Sequence, residues 1–216
     1  YLSELAGTRI RKILKPTIEL LAGIPSVVYG FFGLVVMVPP VQKIFGLPVG
    51  ETGLTGSVIL AIMALPTIIT VAEDAMRNTP RAMREASLAL GATHWQTIYR
   101  VIVPYASSGI SAAVVLGIGR AIGETMAVLM VTGNAAVMPR TLLEPVRTIP
   151  ATIAAELGEA PSGGAHYQSL FMLGCSLFII TVIISITAGN ITKSQHNKEL
   201  GERSRTNAPQ SGCARY

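Results

Sequence analysis

Charge is what this sequence has least of. Asp, Glu, Lys and Arg make up 13% of its 216 residues, against about 25% in a typical soluble domain. Half of the residues are apolar and the mean hydropathy is +0.52. That balance excludes an ordinary soluble domain and points to a membrane protein. The two cysteines, Cys175 and Cys213, have no metal-ligand spacing, and their placement argues against a disulfide. The three histidines, His94, His166 and His196, are scattered through separate segments, so no zinc site is legible. No GxxxxGK[ST] sequence occurs, which excludes ATP hydrolysis by a P-loop on this chain. No cluster of basic residues with interleaved aromatics suggests nucleic acid. No alternation over strand-length segments suggests a membrane barrel.

What is present is a set of four long apolar stretches, roughly Thr17–Val38, Leu54–Ala72, Ser108–Val131 and Leu170–Ile191. Each is long enough to cross a hydrocarbon core, which takes about 17–25 residues as helix. Glycine and proline interrupt three of them: Gly23, Pro25 and Gly30, then Pro66, then Gly117, Gly119 and Gly123. Membrane helices tolerate these residues, because small side chains let neighbours approach closely. The fold expected is all-α, a polytopic bundle of transmembrane helices with four spans. The chain begins at Tyr1 on a basic segment without a signal peptide. It is expected to be the C-terminal part of a longer protein whose earlier part carries further spans.

Basic residues in loops set orientation. From the N-terminus, the five segments outside the spans carry 4, 1, 4, 2 and 5 Lys or Arg. The alternation places the N-terminal segment, the 73–107 loop and the C-terminal tail in the cytoplasm. The third loop, Thr132–Ser169, contains a flexible "APSGGAH" turn and a short helical candidate, "PATIAAELG". Residues 1–198 are read as the membrane domain and 199–216 as a disordered cytoplasmic tail, since the tail lacks apolar periodicity.

The 73–107 loop holds "MRNTPRAMREASLALGATHWQTIYRVIVP". Pro80 suits the opening of a helix, and Gly91 suits its left-handed end. A second helical stretch from Thr93 to Val103 runs to Pro104. A helix, a sharp turn and another helix, with apolar side chains beside Arg and Glu, fit the groove of another protein. They fit equally an amphipathic connector lying on lipid.

The sharpest feature is "GIGRAIGETMAVLM" at 117–130, where Arg120 and Glu124 interrupt an apolar run. An ionisable group at membrane depth costs about 2.5–3.5 kcal/mol on insertion scales. Four residues apart on one helix, the two would share a face with Ala113, Gly117, Ala127 and Val128 and could pair. Such a pair either locks helices together or lines a polar path. Arginine is suited to phosphate or sulfate, because its planar fork binds two oxygens at once. A nearby glutamate would temper it, so that a passing anion is not trapped. Glu19, at the cytoplasmic end of the first span, either snorkels to the interface or caps a helix N-terminus. Glu124 is the only deeply placed carboxylate and no histidine lies in a span, which argues against an intramembrane enzyme.

The spacing Glu85-Ala86-Ser87, three residues, Gly91, nine residues, Val101, one residue, Val103-Pro104 resembles the EAA loop of ABC-importer permeases, with Ser87, Val101 and Val103 as conservative departures. "GIPSVVYG" (Gly23–Gly30) and "GRAIGETMAVLMVTGN" (Gly119–Asn134) resemble the permeases of the Pst-type phosphate importer, the PstC type more than the PstA type. The likeness runs from about Tyr1 to Lys198. It implies the MetI-like permease fold and a permease subunit with no cofactor of its own. It implies as partners a PstA-type permease, two copies of an ATP-binding subunit and an extracytoplasmic phosphate-binding protein. It also implies translocation roles for Arg120 and Glu124. Glu85, Ala86, Ser87, Gly91 and Pro104 would then belong to a coupling loop. Sulfate or molybdate transport, and a scaffold or sensor in phosphate signalling, remain as alternatives.

Overall fold

The computed structural model describes residues 8–206, and among them the regular structure is helical apart from one isolated parallel bridge, Gly133 to Val146. The first helix, α1 (Thr8–Gly23), ends where Pro25 follows. Proline has no N–H to donate and drives the residue before it out of helical geometry. The first span therefore starts later than its apolar run does. It is Ser26–Phe45, built from α2 (Ser26–Phe32), a π-helical turn (Gly33–Met37) and α3 (Val38–Phe45). This corrects the expected Thr17–Val38. Pro39 and Pro40 lie inside the span, because the wider turn before them shifts the hydrogen-bond register: Val38 N–H reaches Gly33 O. Gly46, at φ +61°, closes the helix in left-handed geometry.

The second span, α4 (Gly53–Arg77), is unbroken through Pro66. Thr52 caps it, its Oγ1 accepting from Thr55 N–H at 3.3 Å. The loop that follows contains α5 (Arg81–Ala89) and α6 (His94–Thr97). A second π-helical turn (Ile98–Ile102) then leads into α7 (Val103–Tyr105). The π turn again precedes a proline, and the helix passes Pro104 instead of stopping there. It then bends by 68° into α8 (Ser107–Gly123), and the bent pair taken as one span is long and apolar enough for a crossing. A short helix, α9 (Met126–Val131), follows after a break. The short helix expected over "PATIAAELG" (150–158) is present as α10 (Ile149–Glu156), and α11 (Ala165–Thr206) carries the last candidate span in Ala165–Thr187.

One further expectation is corrected. Ser108–Val131 is not one helix, because the chain is extended at Glu124 (ψ 129°). α11 continues as helix through 199–206. Lys198, Glu199, Leu200, Glu202 and Arg203 favour helix, and extending an existing helix is far cheaper than starting one. Residues 207–216 lie outside the described residues.

α4 packs along α8, α8 along α11, and α2 against α9. The buried cluster of Tyr29, Ile59, Met63, Ala127 and Val131 joins α2, α4 and α9. Glycines set these distances. A Cβ at Gly30 would lie 2.9 Å from the Ala127 backbone, and one at Gly109 would lie 2.4 Å from Ala75 Cβ.

Candidate functional site

Arg120 sits in the last turn of α8, half-buried against the middle of α4. Its Nη1 donates to Thr67 Oγ1 at 3.2 Å. Thr67 lies fourteen residues after the start of α4 and ten before its end, about 21 Å and 15 Å at 1.5 Å per residue. The guanidinium is thus held near the middle of the span. Close helix contact places it there: one turn earlier, Gly117 is fully buried, and a Cβ on it would fall 2.4 Å from Ile68 Cγ1.

Glu124 does not share a helical face with Arg120, because α8 ends at Gly123. Its Oε1 accepts from Ala127 N–H at 3.2 Å, turning the carboxylate toward the first turn of α9. Among the described residues no ion pair joins Arg120 and Glu124. The small stripe expected beside them is buried: Ala113, Gly117, Ala127 and Val128 all face inward.

The 73–107 loop has the expected shape. Pro80 precedes α5, and Gly91 takes φ +82°. Thr93 and Gln96 then form a reciprocal capping box that starts α6. Ser87 Oγ lies 3.0 Å from Thr97 Oγ1 and ties the two helices. Arg84 Nη2 donates to Met76 O at 2.9 Å, anchoring α5 to the end of α4. Glu85 and Ala86 are exposed, as is Pro104. Between α5 and the second helix lies an open apolar groove of about 430 Å³, lined by Met83, Ala86, Ser87, Leu90, Ala92, Gln96, Arg100 and Val101. Leu90 at its rim is 89% exposed, a large apolar side chain set out on a turn.

The family model of the binding-protein-dependent transport system inner membrane component matches residues 2–195. The chain belongs to this family. It is 42% identical over 85% of its length to the probable ABC transporter permease protein YqgH of Bacillus subtilis, covering 59% of that protein. It is 37% identical to the phosphate transport system permease protein PstC of Haemophilus influenzae, with 92% of this chain and 69% of the relative covered. The PstC of Mesorhizobium japonicum is 39% identical, with 85% and 62% covered. The chain thus spans 59–69% of the length of these relatives. Among solved structures it superposes on a chain of the MetNI methionine ABC transporter in an inward-facing conformation. The TM-score is 0.67 at 21% identity, over 90% of this chain and 82% of that one. That likeness establishes the MetI-like permease fold.

Three polar features of this permease carry no sequence motif. Thr67 is a lone hydroxyl one residue after an in-span proline, and only the fold brings it to Arg120. On the opposite end of the bundle from the 73–107 loop, Arg147 donates to Asn134 Oδ1 at 2.9 Å and pairs with Glu156, while His166 Nε2 lies 3.2 Å from Glu156 Oε2. This clasp ties the turn after α9 to α10 and α11. At the loop end, Lys15 reaches Asp74 at 3.3 Å, the buried Glu73 at 3.8 Å and Glu19 at 4.0 Å, fastening α1 to α4. Glu19 therefore belongs to a surface ion cluster.

Proposed function

We propose that this chain is the membrane-spanning permease subunit of an ATP-driven inorganic phosphate importer. The observation that carries the reading is Arg120: a guanidinium near mid-span, bonded to a hydroxyl and not to a carboxylate. A cation at that depth is stabilised by a counter-charge, and a permeant oxyanion supplies one in transit. Arginine offers five donors in a rigid fork matched to phosphate oxygens. Relatives at 37–39% identity bear the name phosphate transport system permease protein PstC, which favours phosphate over other oxyanions.

Glu124, just beyond the end of the same helix, supplies negative charge that keeps anion binding weak enough for release. The 73–107 loop couples to a separate ATP-binding chain, with the Glu85–Ala86–Ser87 segment, Gly91 and the rim of the apolar groove as the docking face. That orientation puts the N-terminal segment, this loop and the C-terminal tail in the cytoplasm, in line with the basic residues they carry. The assembly includes a second, PstA-type permease, two ATP-binding subunits and an extracytoplasmic phosphate-binding protein.

The test is uptake of labelled phosphate and labelled sulfate by cells lacking their own carriers, with the full transporter expressed. Arg120→Gln abolishes phosphate uptake while the complex assembles in normal amount. Normal uptake in that variant removes Arg120 from the path. Wild-type transport of sulfate in place of phosphate moves the reading to another oxyanion importer. No transport of either, with phosphate-dependent signalling intact, makes the chain a scaffold or sensor.

A further inference from the structure

Most hydroxyls on these helices are spent locally. Thr17, Ser57, Thr70, Ser111, Thr132, Ser176 and Thr187 each donate to the carbonyl four residues back, the usual fate of Ser and Thr inside a membrane helix. Thr67 does not. Its Oγ1 accepts from Arg120 Nη1, and its own proton meets no acceptor among the described residues. Arg120 uses one of its five N–H groups in this contact. The half-buried pair therefore presents a surplus of donors at one point. A hydroxyl that accepts from a guanidinium is polarised to donate more strongly in turn. A donor-rich, acceptor-poor spot near mid-span is complementary to a group that only accepts, such as the oxygens of an oxyanion.

Building on the phosphate-transport reading, we infer that Thr67 is a second direct contact for the permeant oxyanion. Its hydroxyl donates to an anion oxygen while it holds Arg120 in place. The contact comes from α4 and the arginine from α8, so the anion is grasped by two helices at once. Relative movement of the helices then makes or breaks the site.

The experiment uses the complete transporter in vesicles, with the amount of assembled complex measured for every variant. Thr67→Val keeps the shape and removes the hydroxyl; maximal phosphate uptake falls about tenfold, the factor carried by one hydrogen bond to a charged group. Thr67→Ser restores the hydroxyl and uptake. In a background with Cys175 and Cys213 replaced by Ser, Thr67→Cys is modified by a small anionic thiol reagent, and saturating phosphate protects it. Wild-type uptake in Thr67→Val, uptake in Thr67→Ser as low as in Thr67→Val, or labelling indifferent to phosphate overturns the inference. If the unaltered transporter takes up no phosphate, the failure lies in the phosphate reading; if Arg120→Gln also takes up phosphate normally, it lies in the place given to Arg120. If Arg120→Gln is inactive, it lies with Thr67 alone.

Discussion

Adding a single methyl group at position 117 tests whether the packing of α4 on α8 holds Arg120 against Thr67. The Cβ of Gly117→Ala would lie 2.4 Å from Ile68 Cγ1 and 2.5 Å from Cδ1. Carbon atoms pack at about 3.5–4.0 Å, so about 1 Å must be found. Ile68 is β-branched and holds a narrow range of χ1 in a helix, so the helices separate before the side chain turns away. Arg120 is three residues further along α8, and its bond to Thr67 is already 3.2 Å long; about 1 Å more exceeds hydrogen-bond range. Overpacking costs about 1–3 kcal/mol, and the helix preference of Ala over Gly returns about 1 kcal/mol. Thermal denaturation in detergent should thus show a loss of about 0–2 kcal/mol, while phosphate uptake falls about tenfold through the broken bond. Ile68→Ala in the same chain removes both clashing carbons and leaves a Cβ at 3.9 Å, an ordinary contact. The double variant should recover uptake. Wild-type transport by Gly117→Ala, or no recovery in the double variant, would refute the link between this contact and Arg120.

Two other regions give independent tests. Gly91 holds φ +82°, which proline cannot adopt, so Gly91→Pro should uncouple ATP hydrolysis from uptake, as should Glu85→Lys on the docking face. Retained response of the ATPase to loaded binding protein in either variant would remove the loop from coupling. Arg147→Met breaks the clasp to Asn134 and Glu156 and should lower the unfolding free energy by about 1–3 kcal/mol, since Glu156 loses a partly buried partner. Unchanged thermal unfolding would show that the clasp contributes nothing to the fold.

Local rules carried much of this structure. Pro80, Gly91 and the Thr93–Gln96 pair mark helix ends through backbone chemistry that needs no distant partner, and the loop has the expected form. Hydropathy located three helices long and apolar enough to cross a membrane, and a fourth if the bent pair is one span, but it misjudged where the first begins, because it weighs apolar content and not the missing donor of Pro25. Periodicity put Arg120 and Glu124 on one helical face. It has no means of registering that the chain turns extended at Glu124, whose carboxylate meets a backbone N–H of α9. Thr67 and the Arg147 clasp were invisible for a different reason. Arg120 and Thr67 are 53 residues apart in sequence, and their meeting depends on Gly117 admitting α4, a packing fact with no local signature.

The glycines of α8 divide by what they face, and the division bears on how the site works. Gly109 and Gly117 are closed by Ala75 and Ile68 of α4. A Cβ at Gly119 or Gly123 would meet no atom within 4 Å. At about 100° per residue, Gly119 and Gly123 lie well away from the face of Gly117, while Arg120 falls within the packed arc, about 20° from Gly109 at its edge and about 60° from Gly123 on the open side. One side of the arginine is thus fixed by a contact too tight for a methyl group, while the other borders open space. A charge buried wholly in the packed face would be structural and out of a solute's reach. A charge wholly on the open face would swing with its flexible side chain and fix no anion in place. Anchored through Thr67 close to the edge of the packed face, the guanidinium is held while its neighbouring turn stays open, as the proposed anion contact requires.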